Sequence, residues 1–328
     1  MEELNFNAFF GTFDVDMEPV SVIDITEIIK DNFHRDLKII IPPNTDFIEY
    51  FGDPAAGKRK FIQIISPYRK FNIIQDDYQF DIEIDLNQLD KNIKIIYYAY
   101  IDRNSNWQEI ISGQLKQLRC YGILDEADLY VHITDVKGIF NDVVGIIKNI
   151  CKHAYILKSN QNHFEYYGIK LAYDLSGQYP ESTIIYLHTK GMSYHGQSRA
   201  TADIALLTGT FDNWRKNLEV FKDNSINKIG LFPALEDMES KWLAGSRGGW
   251  IWYNFWYARA SYILTCEVPE IKTHRWYFED WLGGPQNELS VLKNDCRSIH
   301  PDNGKTYYTA EEAKAGLMAW KIVLGLTS

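Results

Sequence analysis

The chain has 328 residues, enough for one large domain or two ordinary ones. Hydrophobic residues make up 45% and charged residues 24%, which supports a sizeable core and excludes a disordered chain. The net charge of -10, with no Lys/Arg-rich run, excludes nucleic acid as the expected partner, because a nucleic-acid binder presents a basic face.

In chain order, residues 1–90 read as a small β-rich module. Ile23 to Phe33 has helical spacing, with Ile28, Ile29 and Phe33 able to share a face. Phe61 to Ser66 and Phe80 to Leu86 read as strands, the second alternating apolar and acidic. Between the helix and the first of these strands, Gly52-Asp53-Pro54-Ala55-Ala56-Gly57-Lys58-Arg59 nearly spells a phosphate-binding loop. Arg59 stands where Ser or Thr must hold magnesium, and a strand-like run follows where a helix is required. The DxD-like spacings at Asp14-Val15-Asp16 and Asp81 to Asp85 read as solvated acids.

Residues 91–328 change texture to alternating strands and helices. Strands are predicted at Ile93 to Tyr100, Asp128 to Thr134, His153 to Leu157, Thr183 to Leu187 and Lys228 to Phe232. Helices are predicted at Trp107 to Tyr121, Phe140 to Cys151, Phe164 to Leu175 and Asp212 to Phe221. That alternation builds an α/β domain, a mostly parallel sheet with helices on both faces. Ligands of such sheets bind beyond the carboxyl ends of the strands. The rule singles out Tyr100 to Asn104, Thr134 to Lys137 and His188 to Gly191.

Cys120, Cys151, Cys266 and Cys296 lack metal-ligand spacing and are expected to be reduced and buried. No basic segment followed by an apolar one opens the chain, and no apolar run reaches membrane-spanning length. The expected location is cytoplasmic, with no transmembrane segment.

Three clusters carry chemistry. Asp102, Arg103 and Asn104 follow the first strand of the α/β region, with Trp107 opening a helix. An acid there can take ribose or base hydrogen bonds; Trp107 can equally be a packing staple. His188-Thr189-Lys190-Gly191 follows an apolar strand, and the Lys190 ammonium can supply positive charge to a diphosphate without a metal. Arg247 to Leu282 is dense in rings, among them Trp250, Trp252 and Trp256, with Arg259 behind them and Glu279-Asp280 further on. Flat rings stack on the C–H faces of sugars, and a carboxylate can act as general base.

These residues also resemble a group of glycosyltransferases of surface-glycan loci and large DNA viruses. The matching pieces are Asn106-Trp107, His188-Thr189-Lys190-Gly191, Trp214-Arg215, Asn254-Phe255-Trp256-Tyr257-Ala258 and Glu279-Asp280-Trp281-Leu282, over a little more than half the chain. Tyr257 departs from the second Trp of the pattern, and Tyr253 replaces a Gly before Asn254. The resemblance implies a GT-A-like fold and transfer of a sugar from a nucleotide-sugar donor to a glycan or glycolipid acceptor. It implies Asp280 or Glu279 as base, and Lys190 and Arg215 at the diphosphate. Tyr100, Asp102, Arg103, Trp107, Thr134 and His188 would line the nucleotide sugar, and Trp250, Trp252, Trp256 and Arg259 the acceptor. Manganese or magnesium is left open, with His188 as the one metal-ligand candidate. A non-catalytic carbohydrate-binding protein and another transferase, such as a methyltransferase, stay open as alternatives.

Overall fold

Short alternating runs build the first of two units, Met1–Lys91; the second is Asn92–Ser328. A computed structural model of the chain describes residues 6–13, 19–35, 38–42, 45–58, 60–65, 70–74, 82–85, 91–102, 104–190, 192, 199–235, 249–283, 295–301 and 305–326. Asp14, Asp16, Asp81, Arg103 and Gly191 lie outside the described residues.

The first unit contains β1 (Asn7–Phe13), β2 (Pro19–Asp24), α1 (Thr26–Asn32), β3 (His34–Arg35) and β4 (Lys38–Ile41), followed by α2 (Phe47–Phe51), β5 (Phe61–Ile65), β6 (Lys70–Ile74) and β7 (Ile82–Asp85). One antiparallel sheet runs β2-β1-β5-β6 and a second runs β3-β4-β7. Alternate residues Ala8, Phe10, Ile62 and Ile64 are fully buried, and the Phe10 ring lies 6.2 Å from Phe47 and 5.4 Å from Phe51 of α2. Asp46 caps α2 by accepting from the backbone N–H groups of Ile48 and Glu49. The loop that nearly spells a phosphate site follows α2 and precedes β5, the reverse of the order such a site needs. Asp53 there accepts from Ala55 N–H and pairs with Lys60 at 2.8 Å, a loop held by its own groups.

The second unit opens with β8 (Ile93–Ile101), α3 (Trp107–Cys120), α4 (Ile123–Glu126), β9 (Asp128–Asp135), α5 (Phe140–Ile150), β10 (Tyr155–Ser159), α6 (Tyr166–Gln178) and β11 (Thr183–His188). It continues through α7 (Thr201–Phe211), α8 (Trp214–Glu219), β12 (Lys228–Gly230), β13 (Trp256–Arg259), α9 (Ala260–Ile263), α10 (Trp276–Asp280), β14 (Cys296–Ser298) and α11 (Ala310–Val323). Seven strands lie in the order β10-β9-β8-β11-β13-β12-β14, all parallel except β13. This is the expected α/β class, a mostly parallel sheet with helices on both faces, with a small β-rich unit ahead of it in the chain.

Strand alternation sorts the core into two layers. Ile95, Tyr97, Ala99, Leu129, Val131, Ile185 and Leu187 pack with residues of α3, α5, α7 and α11 on one face. Ile96, Tyr98, Tyr130, Ile184, Tyr186 and Trp256 pack with residues of α6, α9 and α10 on the other. Each large side chain buried this way stabilises by about 1.5–3 kcal/mol.

Chain order reverses between β8 and β11. From β8 the chain goes outward to β9 and β10, then returns through α6 to β11 on β8's other side. That makes the β8/β11 boundary a topological switch point, and ligands of such sheets bind beyond the carboxyl ends of the strands there. Because β13 runs antiparallel, its amino end brings Tyr253 and Asn254 to the same edge.

The four cysteines form no disulfide. Cys266 and Cys296 are buried as expected, but Cys120 is exposed because it ends α3 away from its apolar stripe, and Cys151, at the C-cap of α5, is half-buried against the edge of the core.

Candidate functional site

β11 ends at the switch point with His188, Thr189 and Lys190. Its ladder to β8 continues one step past the strand: Thr189 N–H donates to the Tyr98 carbonyl at 3.0 Å, and the Tyr100 N–H donates to the Thr189 hydroxyl at 3.2 Å. Thr189 thereby fixes the direction in which its neighbours leave the sheet. The Lys190 ammonium lies 5.4 Å from the centre of the Tyr253 ring.

Around these residues the structure gathers groups from three other elements. Glu165 stands at the N-cap of α6, largely buried, and its Oε2 accepts from Tyr186 OH at 3.2 Å and from Asn254 Nδ2. Its Oε1 faces His188 Nδ1 at 3.6 Å, just beyond hydrogen-bond length. His188 Nε2 lies 3.2 Å from the Tyr253 carbonyl. A carbonyl only accepts, so Nε2 carries the ring proton and Nδ1 presents its lone pair to Glu165. Asn254 also donates from Nδ2 to the Phe278 carbonyl at 3.3 Å and accepts from Trp256 Nε1 at 2.6 Å. Glu279, the next residue of α10, is buried, with Arg275 Nη2 3.6 Å from its Oε1.

Electrostatics follow from burial. It raises the carboxyls of both Glu165 and Glu279, and the Glu165 charge raises Glu279 further. Lys190 and Arg275 oppose that rise in both. The His188 ring is pushed down to about 3, first by burial and then by Lys190, so it is neutral at physiological pH. Backbone conformation marks the same place. The non-glycine residues at positive φ among those described are Phe164 (55°), Tyr253 (71°) and Asn254 (57°), and all three adjoin this cluster. Such residues cost on the order of 1 kcal/mol each and concentrate where surroundings hold a working geometry.

The donor set does not suit manganese or magnesium. These ions take several oxygen ligands, whereas here the Lys190 cation lies close to both carboxyls beside a nitrogen ring. Among the described residues, no group of three or more His, Cys, Asp and Glu is disposed to hold a metal ion.

The remaining sequence candidates divide. Tyr100 and Asp102 lie at the end of β8 beside the cluster, with Asp102 Oδ1 accepting from Asn104 N–H at 3.0 Å. Thr134 is fully buried at the end of β9, its hydroxyl between Tyr98 OH at 3.1 Å and Ser159 at 2.8 Å. Trp107 is a buried staple of the α3 layer. Trp256 is wholly buried and stacks on Tyr186 at 5.1 Å, so it cannot receive an acceptor. Trp250 is buried against Trp252 at 4.2 Å, and Trp252 gives its Nε1 proton to the Tyr308 carbonyl. Arg259 pairs in register with Thr183, the first residue of β11, and donates to the carbonyls of Ile226, Phe221 and Asp223 at the amino edge. Arg215 pairs with Glu126, two residues before β9 begins, again at the amino edge. Asp280 is buried one residue beyond Glu279, and a helix turns about 100° per residue, so the two carboxyls diverge.

Two residues were missed. Glu165 sits in no motif; it follows Phe164 ahead of an ordinary amphipathic helix. Asp135 ends β9 beside Ile101, and Thr134-Asp135 falls within the strand-end stretch the sheet rule had marked. Its Oδ1 accepts from the N–H groups of Lys137 and Gly138, while its buried Oδ2 has no hydrogen-bond partner. A buried carboxylate oxygen without a donor calls for one from a ligand or water.

No protein-family model matches the chain, and no curated protein matches its sequence. Among solved structures it is similar to residues 1–349 of S. aureus TarS in complex with UDP, at 11% identity and a TM-score of 0.32. The similarity covers 72% of this chain and 66% of that one, just under two thirds of its length. At that degree of superposition the similarity assigns no residue and no ligand. Among the described residues, no helix is long and apolar enough to cross a membrane.

Proposed function

We propose that the chain transfers a sugar from a nucleoside-diphosphate donor to a hydroxyl of a glycan or glycolipid acceptor. The observation that carries this reading is a buried carboxyl, Glu279, sharing the carboxyl edge of a switch-point sheet with the Lys190 cation. In this reading the nucleoside lies across the ends of β8 and β9, near Tyr100, Asp102 and Asp135, whose Oδ2 takes a ribose or base N–H or O–H. Lys190 meets the diphosphate. Glu279 takes the proton of the acceptor hydroxyl as that oxygen bonds to the anomeric carbon. The bond from that carbon to the diphosphate oxygen breaks, and Lys190 stabilises the negative charge left there. A carboxyl raised by burial is a stronger base than an exposed one, and Lys190 keeps it ionisable.

Thermal-shift screening against UDP, GDP, CMP and dTDP sugars and S-adenosylmethionine, with and without manganese, tests the proposal. A ligand that binds only the native state raises the midpoint. The expected result is a rise with one nucleotide sugar that does not need manganese. A rise with glycans alone, or with S-adenosylmethionine, would replace transfer of sugar by binding or by methyl transfer.

A further inference from the structure

Glu165 has no part in the transfer chemistry above, yet its Oε2 accepts from both Tyr186 OH and Asn254 Nδ2. The carbonyl of the preceding Tyr253 accepts from His188 Nε2, and His188 Nδ1 faces Glu165 Oε1 across 3.6 Å without a hydrogen bond. These groups bring together the start of α6, the end of β11 and the left-handed turn before β13. They also reach α10, because the same Asn254 amide nitrogen donates to the Phe278 carbonyl, one residue before Glu279. Asn254 is thus fully committed, with donors to Glu165 and Phe278 and its oxygen accepting from the Trp256 indole.

We infer that Glu165 is a positioning residue of this site, a clamp that acts through Asn254 to hold α10 and the Glu279 carboxyl over Lys190. The inference rests on the reading of Glu279 as the base. Cost and effect agree with it. Tyr253 and Asn254 are held at φ values of 71° and 57°, which persist only where surroundings over-determine them, and the Asn254–Glu165 and His188–Tyr253 contacts do so here. The groups facing Glu165 are Tyr186, His188 and Lys190 from the β11 end, Asn254 before β13, and Glu279 and Arg275 on α10. With Oε2 already accepting two hydrogen bonds, a proton taken up by this carboxyl sits on Oε1, against the lone pair of His188 Nδ1. Either protonation state keeps the bond to Asn254, so a glutamine can replace the clamp where it could not replace a base.

The test compares E165A, E165Q and N254G, the last removing the Asn254 side chain while leaving a residue that tolerates positive φ. One arm reads nucleotide-sugar turnover. E165A and N254G are expected to lower kcat about 100-fold with donor KM within about threefold, E165Q to recover most of the loss, and the E165A/N254G pair to lose no more than the worse single variant. An E165Q variant as inactive as E165A, or additive losses in the pair, overturns the clamp. The other arm needs no substrate: hydrogen exchange of the Trp256 indole N–H, assigned with W256F. It is expected to be slow in the wild type and E165Q and at least about tenfold faster in E165A, because release of Asn254 frees its acceptor. An indole unaffected in E165A overturns the clamp, whereas a wild-type protein that turns over no nucleotide sugar overturns the transfer reading alone.

Discussion

Glu279 and Lys190 are neighbours at the carboxyl edge of the sheet, and the charged groups there support separate expectations. Lys190→Ala removes the cation from the diphosphate, so UDP affinity should fall about 10- to 100-fold while uridine affinity holds; charge-assisted hydrogen bonds contribute about 1.5–3 kcal/mol. Equal losses for both ligands, read by calorimetry, would place Lys190 elsewhere. His188 gives a pH signature. Its folded pKa of about 3 lies below its unfolded value, so the unfolded chain takes up a proton first as pH falls. Stability is therefore lost between about pH 6.5 and 3 on this account. The raised carboxyls act oppositely, losing stability as pH rises through the range above their unfolded value. His188→Gln should accordingly shrink the fall in Tm between pH 7 and pH 4, and an unchanged acid slope in calorimetry would contradict a buried neutral ring.

At the scale of elements, α6 lies so close to the sheet that Gly168 has no room for a side chain. A Cβ there would meet Tyr98 Cβ at 2.6 Å and the Tyr186 hydroxyl oxygen at 2.9 Å. Gly168→Ala should cost about 1–3 kcal/mol through this overpacking, and it should disturb the site through the Tyr186–Glu165 bond. A melting temperature equal to that of the wild type would contradict the packing. The same scale explains what was legible in the sequence. β8, β9, β11, α3 and α5 were readable because each had a clean apolar stripe or run between polar turns. α7 was not, because Thr201–Phe211 is buried between α3 and α11 and is apolar around most of its circumference. Trp256 of β13 was not legible as a strand residue, because a strand buried on both faces loses its alternation. α11 opens with a capping box, Thr309 and Glu312, which is a start signal in the sequence itself. Of the candidate site, the strand-end rule points to Tyr100, Asp102, His188 and Lys190, and these lie at or just beyond the carboxyl ends of β8 and β11. It could not find Glu165, whose role depends on partners 21 to 89 residues away in sequence.

Across the whole molecule, every candidate residue described lies in Asn92–Ser328, a unit with its own two-layer core. That unit expressed alone should unfold cooperatively and keep the nucleotide affinity of the full chain within about threefold, since domains carry their own cores. Loss of binding in the isolated unit, with its fold intact, would assign part of the site to residues 1–91. The central claim is that Glu279 performs base chemistry in a nucleotide-sugar crevice. Its most direct test is release of nucleoside diphosphate from the donor that binds best, by the wild type and by E279Q, with affinity for that nucleotide measured alongside. The account predicts release by the wild type, a loss of about 100-fold or more in E279Q, and nucleotide affinity unchanged within about threefold. Turnover by E279Q equal to the wild type would contradict it.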